Sequence, residues 1–166
     1  MYNVLYGEIS YETERQPIIE KADYVICGAA DLAFSVLCQK IIENAPPKEK
    51  IHQADFPQLS LLKLPYDYYG DEDIAYRLIY VEASRGCPFK CEFCLSALDK
   101  TSKPFEINNF INQLDSLYNR GARRFKFVDR TFNLKIENSK QILHYFLNKI
   151  EQGDTIFVHF EIIPDR

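Results

Sequence analysis

The carboxyl-terminal half of the chain alternates between short apolar runs and longer amphipathic stretches. Residues 77–84, 123–130 and 155–163 are the short runs, and each has the length and apolar content of a strand. Over residues 104–120 and 137–151, apolar side chains recur at the spacing of a helix that buries one face. The order strand, helix, strand, helix, strand predicts a parallel sheet that is covered by helices.

The amino-terminal part of the chain contains a single strand–helix unit. Residues 22–27 form an apolar run that predicts a buried strand, and residues 30–44 have the spacing of a helix. One such unit cannot form a domain, so we expect it to be the end of an α/β domain. The segment of residues 45–76 contains several prolines followed by several tyrosines, which predicts an irregular linker that packs its tyrosines onto a neighbouring element. The expected regions are an α/β remnant at residues 1–50, a linker at 51–76 and the βαβαβ region at 77–166.

Length and charge narrow the class of protein. At 166 residues the chain could be one domain or parts of two. Its net charge of −4 argues against nonspecific nucleic-acid binding, which needs a basic surface. The start lacks the features of a signal peptide, and no run is long enough to span a membrane. We therefore expect a cytoplasmic protein without a nucleic-acid or membrane partner.

Three of the five cysteines lie in one short loop. Cys87, Cys91 and Cys94 are separated by three and then two residues, directly after the first predicted strand of the carboxyl-terminal half. Three thiolates can hold three irons of a [4Fe–4S] cluster and leave the fourth iron open for a small ligand. The alternatives are a partial zinc site, although structural zinc usually has four ligands, or three unrelated thiols. Cys27 and Cys38 are expected to be small buried hydrophobic residues.

Each predicted strand of this half also carries an acid near its carboxyl end, and these acids are Glu82, Asp129 and Glu161. Side chains alternate between the faces of a strand, and sites in α/β proteins form where parallel strands end. We therefore expect these carboxylates to converge with the cysteine loop on one pocket. The alternative is that they form structural ion pairs with Arg85, Arg130 or Lys126.

The cysteine loop resembles that of the radical S-adenosylmethionine (SAM) enzymes. The resemblance is carried by the C-x3-C-x2-C spacing after a parallel strand and by Phe93 before the last cysteine. It implies that Cys87, Cys91 and Cys94 ligate a [4Fe–4S] cluster whose open iron binds SAM, and that Phe93 borders the adenine. It also implies reductive cleavage of SAM to a 5′-deoxyadenosyl radical under anaerobic conditions, with a reducing partner of the flavodoxin or ferredoxin type.

Other segments resemble the subgroup of that superfamily with an amino-terminal cobalamin-binding domain, and within it a family of uncharacterised proteins. These segments are residues 22–34, 84–89, 126–133 and 159–162. Residues 22–34 resemble the last strand and helix of the cobalamin domain. Members usually have Gly-Glu-Gly-Glu after that strand, whereas this chain has Gly28-Ala29-Ala30-Asp31, and their upstream histidine motif has no counterpart here. These departures argue against cobalamin binding by this chain.

Together, the residues and the resemblance predict an α/β chain that is an amino-terminal fragment of such a protein. It would contain a remnant of a Rossmann-like cobalamin-binding domain and the first half of a radical SAM βα barrel. Asp129 and Glu161 are the candidate catalytic residues, and Phe93, Asn133 and Glu161 are the candidate cofactor contacts. The parent protein is expected to be an enzyme that starts radical chemistry on an unknown substrate. The alternatives are a non-catalytic iron–sulfur or metal-binding module and an inactive truncated fragment.

Overall fold

The structure is a computed structural model and describes residues 4–7, 17–89, 91–92 and 102–164. These residues form an α/β fold with parallel strands, which confirms the predicted class. The chain divides into two compact units, Met1–Leu62 and Lys63–Arg166. In the described residues, no helix is both long and apolar enough to cross a membrane.

The first unit contains a parallel sheet flanked by helices. Its strands are β1 (Val4–Gly7), β2 (Tyr24–Gly28) and β3 (Ile51–Ala54), in that spatial order, and its helices are α1 (Pro17–Lys21) and α2 (Ala30–Ile42). β2 is buried along its whole length because it lies between two strands and packs against α2 through Ile26 and Leu37. Cys27 packs with Val25 and is buried as expected, whereas Cys38 is half-buried.

The second unit contains a parallel sheet with two long helices. Its sheet strands are β4 (Ile79–Val81), β7 (Arg124–Phe127) and β8 (Phe157–His159), in the spatial order β4-β7-β8. The long helices are α4 (Ile107–Asn119) and α5 (Ile136–Glu151). The predicted order of strands and helices is therefore confirmed, although each element is shorter than its predicted range except α5, which begins one residue earlier.

Several elements of the structure were not predicted. The segment expected to be irregular contains β3 and the short helix α3 (Asp71–Tyr76), so that expectation is wrong for these residues. The first predicted strand of the second unit is interrupted after β4, and its end forms β5 (Ser84–Gly86), which pairs antiparallel with β6 (Ser102–Pro104). The short strands carry few apolar residues, and their formation depends on pairing with distant segments that a local pattern does not reveal.

One face of the second sheet is covered and forms the core of this unit. Ile79 and Val81 of β4 lie beside Phe125 and Phe127 of β7, and all four side chains are buried. The α4 and α5 helices cover this face, since Phe127 lies 5.8 Å from the ring of Phe110 and 6.2 Å from that of Phe146. The opposite face carries Tyr80 and Phe157, which are about half exposed (50% and 53%). The two faces of this sheet therefore provide different environments for the residues at its carboxyl end.

The outer edge of β4 is covered by tyrosines that precede it in the chain. Within and after a 3-10 turn at Pro65–Tyr68, Tyr66 and Tyr69 direct their hydroxyls at the backbone of this strand. The Tyr66 hydroxyl accepts from the N–H of Glu82 at 2.8 Å and donates to its carbonyl at 3.3 Å. The Tyr69 hydroxyl does the same for Tyr80, at 3.1 and 2.9 Å. The predicted packing of tyrosines from this segment on a neighbouring element is thus confirmed for these two residues.

Candidate functional site

The register of the second sheet separates the three candidate acids. Val81 pairs with Phe127, so Asp129 lies on the same face as Ala83, which is the covered face. Glu82 falls between these positions and lies on the opposite face. Lys126 pairs with His159, so Glu161, two residues further along, also belongs to the uncovered face. The prediction that all three carboxylates converge on one pocket is therefore wrong for Asp129, because alternation within a strand does not determine the register between strands.

Asp129 connects the end of β7 to the start of the cysteine loop. Its side chain is 1% exposed, and its Oδ2 accepts from the backbone N–H of Ala83 at 2.9 Å. Its Oδ1 accepts from the hydroxyl of Ser84 at 2.6 Å. Burial raises the pKa of Asp129 to about 6, and the neighbouring charge of Glu82 adds to this increase, while the two hydrogen bonds oppose it. The carboxylate therefore orients the strand that leads directly into the loop.

Glu82 forms the ion pair that was the alternative interpretation of these acids. The guanidinium of Arg85 donates to both carboxylate oxygens, with Nη2–Oε2 at 2.7 Å and Nε–Oε1 at 3.0 Å. Arg85 also lies 5.9 Å from the centre of the Phe105 ring. This bidentate pair fixes the backbone turn between β4 and β5, because Glu82 and Arg85 are only three residues apart.

Glu161 and Asn133 lie where the segments that follow β7 and β8 meet. The backbone carbonyl of Glu161 accepts from the N–H of Phe132 at 2.8 Å, while its side chain is exposed. The amide of Asn133 donates to the carbonyl of Ile163 at 2.7 Å and accepts from its N–H at 2.9 Å. These contacts extend the β7–β8 pairing beyond the sheet and leave the Glu161 carboxylate at the carboxyl end of the uncovered face.

The cysteine loop begins where β5 ends. Gly86 has a φ of +92°, a conformation that favours glycine, and this turn directs the chain into the loop. Cys87 is half-buried and Cys91 is exposed, and both are free thiols. Phe93 and Cys94 lie outside the described residues. In the part of the chain that the structure describes, no group of three or more potential metal ligands is assembled.

The chemistry of the described part of this loop fits an iron–sulfur cluster. Cys87 and Cys91 are free thiols and neither is fully buried, so their sulfurs are available as thiolate ligands. Sγ of Cys87 lies 3.7 Å from Oγ1 of Thr131, a buried residue that follows β7. The loop is thus in contact with the carboxyl end of the neighbouring strand.

A cavity of about 210 Å³ lies next to the same strand ends on the covered side of the sheet. Its walls include Ser84, Asp129, Phe132, Ser139 and Ile142. Pockets for drug-sized ligands usually measure roughly 300–1,000 Å³. This cavity is therefore smaller than a complete pocket for a molecule as large as SAM.

Ser84 and Thr131 are the residues of this site that the sequence did not single out. Both are ordinary hydroxyl residues within longer segments, and neither carries a spacing that indicates chemistry. The only signal for Thr131 is its position two residues after Asp129, which gives both residues the same strand phase. Their partners, Asp129 and Cys87, are 44 or 45 positions away and become neighbours only through the β4–β7 register.

Comparisons with known proteins give partial matches, and no protein-family model matches the chain. The chain is 32% identical over 116 residues to an uncharacterised methyltransferase of Pyrococcus horikoshii, covering 68% of this chain and 24% of that protein. It is 29% identical over 135 residues to an uncharacterised methyltransferase of Synechocystis, covering 74% of this chain and 23% of that one. The chain thus spans about a quarter of the length of the curated relatives it matches.

Among solved structures, the chain matches the radical SAM methyltransferase TsrM from Kitasatospora setae, which was solved with cobalamin and a [4Fe–4S] cluster bound. This match has a TM-score of 0.40 and 22% identity, and it covers 48% of this chain and 14% of that one.

Proposed function

We propose that this chain is part of a radical SAM protein and that Cys87, Cys91 and Cys94 hold its [4Fe–4S] cluster. The observation that carries the proposal is the three-cysteine loop, which begins at the end of β5, the short strand that follows the parallel strand β4. When bound, such a cluster supplies the single electron that cleaves a carbon–sulfur bond of SAM. An electron carrier of the flavodoxin or ferredoxin type would reduce it.

The sequence relatives support methyl transfer as the reaction of the whole protein. Two relatives with sequence identities near 30% carry the name methyltransferase, and SAM is a methyl donor as well as a radical source. Because the chain spans about a quarter of those proteins, this activity is proposed for the longer protein.

We extend the proposal to the domains. Residues 77–166 would form the first half of the radical SAM barrel, and the β4-β7-β8 sheet with helices on one face supports this arrangement. Residues 1–50 would be a remnant of a cobalamin-binding-like domain with a linker after it. Since β3 (Ile51–Ala54) pairs with β2, we place the start of that linker after residue 54.

The candidate cofactor contacts are proposed with roles that suit their positions. Glu161 presents an exposed carboxylate at the carboxyl end of the uncovered face, where it would contact SAM or substrate. Asn133 and Phe93 would border the same space. Asp129 was a candidate catalytic residue, but its carboxylate is buried and bound to Ala83 and Ser84, so we propose that it orients the loop.

Anaerobic reconstitution with iron and sulfide tests this proposal. We expect about four irons and four sulfides per chain, as in a [4Fe–4S] cluster, and an optical absorption typical of iron–sulfur proteins. Cys91→Ser should abolish uptake, because it removes one ligand from an exposed position without disturbing the core. The matched control is Cys38→Ser, a half-buried cysteine of α2 that should leave uptake unchanged.

The outcome also separates the candidate functions. Release of 5′-deoxyadenosine on addition of dithionite and SAM would support an enzyme. A stable cluster without cleavage would support a non-catalytic iron–sulfur module. A tightly held zinc with no iron, or equal iron uptake by Cys91→Ser, would contradict the proposal.

A further inference from the structure

The hydroxyl of Thr131 is buried beside a cysteine of the proposed cluster loop. Thr131 is 4% exposed, and its Oγ1 lies 3.7 Å from Sγ of Cys87. Within the described part of the chain, this sulfur is the only hydrogen-bond partner of that hydroxyl. A buried hydroxyl that contacts a single sulfur is an unusual arrangement, because backbone carbonyls are far more common partners.

The chemistry of the two groups determines the direction of this bond. A hydroxyl carries one proton to donate, and buried polar groups in folded proteins are almost always paired. A thiolate that binds iron has no proton and can only accept. With a cluster bound, Thr131 therefore donates O–H···S to Cys87.

The surroundings hold Thr131 in place for this role. On one side, Asp129 is bound to Ala83 and Ser84, at the start of the strand that leads to Cys87. On the other side, the N–H of Phe132 donates to the carbonyl of Glu161 at 2.8 Å. The carbonyl of Phe132 also accepts from the Ser139 hydroxyl at 2.7 Å. The backbone on both sides of Thr131 is thus held by contacts that do not involve the sulfur.

We propose that Thr131 is a positioning residue that donates a hydrogen bond to the Cys87 thiolate and raises the reduction potential of the cluster. The inference rests on the proposed function. One-electron reduction makes a cluster more negative, so a donor at a ligand sulfur stabilises the reduced form more than the oxidised form. Hydrogen bonds to the sulfurs are among the factors that set the potentials of iron–sulfur clusters.

Redox titration of the anaerobically reconstituted chain, followed by electron paramagnetic resonance, tests the inference. Thr131→Val replaces the hydroxyl with a methyl group of similar size and removes the donor. At the wild-type midpoint, its ratio of reduced to oxidised cluster should fall roughly tenfold, which corresponds to about 59 mV for one electron. Thr131→Ser keeps the donor and should restore the wild-type ratio. The matched control is Thr155→Val, at an exposed threonine that should not change the ratio.

The measurements distinguish failure of this inference from failure of the proposed function. A wild-type chain that takes up no iron would overturn the proposed function and this inference with it. A chain that binds the cluster but shows the same potential in Thr131→Val as in the wild type would overturn this inference alone. A shift that Thr131→Ser does not reverse, or a loss of apo-protein stability with no shift in potential, would also overturn it and assign the residue to the fold.

Discussion

At the scale of single residues, the carboxylate of Asp129 accepts a backbone hydrogen bond that a neighbouring strand would accept in a regular sheet. The N–H of Ala83 would continue the ladder of β4, but it donates to the Asp129 carboxylate. The same carboxylate accepts from Ser84. One side chain thus ends one strand and orients the next, and this is the point from which the cysteine loop begins. Burial of the Asp129 carboxylate costs free energy, because a buried ionised carboxylate is stable only with strong hydrogen-bond or ion-pair partners.

The raised pKa of Asp129 makes the stability of the fold depend on pH. Its pKa is about 6 in the folded chain against an ordinary value of 3.8, so between these values the folded form holds a proton that the unfolded form has lost. Stability from this group is therefore complete below about pH 4 and is lost as the pH rises through about 6. Asp129→Asn keeps a hydrogen-bonding side chain without the charge. Its free energy of unfolding relative to wild type should rise by on the order of 2–3 kcal/mol between pH 4 and pH 7.

Urea unfolding at both pH values measures this difference. The titratable groups that face Asp129 are Glu82 and Tyr66, and both are unchanged in the variant. Asp67→Asn, at an exposed position, serves as the control and should leave the difference near zero. An Asp129→Asn profile parallel to that of the wild type would show that the carboxyl titrates normally.

At the scale of elements, two tyrosines cover the outer edge of β4, which would otherwise be exposed like the edge of any open sheet. Unpaired N–H and C=O groups at an edge are a template for aggregation. Here Tyr66 and Tyr69 each satisfy both backbone groups of one residue, so two hydroxyls replace a partner strand. Burial raises the pKa of Tyr66, which keeps its hydroxyl protonated and able to donate.

Removal of one hydroxyl should expose this edge. Tyr66→Phe leaves the N–H and carbonyl of Glu82 without their partner, and we expect the free energy of unfolding to fall by about 1–3 kcal/mol. Hydrogen exchange at the Glu82 amide should become faster, while the amides of α5 stay protected. The matched control is Tyr68→Phe, since that side chain is 81% exposed. Equal exchange at Glu82 in both variants would show that the edge does not depend on Tyr66.

The elements also show which parts of the structure a sequence can predict. The α4 and α5 helices were predicted because several apolar residues repeat at one spacing over many residues, and such a pattern survives small errors. The β5 and β6 strands have three residues each, and their pairing joins residues 84–86 to residues 102–104. These segments are too far apart in the sequence for a local pattern to include both. The same contrast between local patterns and long-range pairing applies to the candidate site. The cysteine spacing is a local signal, whereas the separation of Asp129 from Glu82 depends on the register between two strands.

At the scale of the whole second unit, one ring connects the elements that carry the candidate site. Phe127 of β7 is fully buried, and its ring centre lies 5.8 Å from Phe110 of α4 and 6.2 Å from Phe146 of α5. It also lies 5.3 Å from Phe132 and 4.7 Å from Phe160, in the segments that follow β7 and β8. The helices, the sheet and the segments beside the cysteine loop therefore share one aromatic core.

Replacement of this ring should weaken the whole unit. Truncating a buried phenylalanine to alanine costs about 3–5 kcal/mol, a large part of the roughly 5–15 kcal/mol that stabilises a typical domain. We therefore expect Phe127→Ala to lower the urea midpoint strongly and, because Thr131 and Asp129 follow the same strand, to reduce cluster uptake as well. Phe157→Ala removes the same group from a side chain that is 53% exposed and should cost far less. If both variants lost similar stability, the core of this unit could not be centred on Phe127, and the positions of the strand ends would need another source of support.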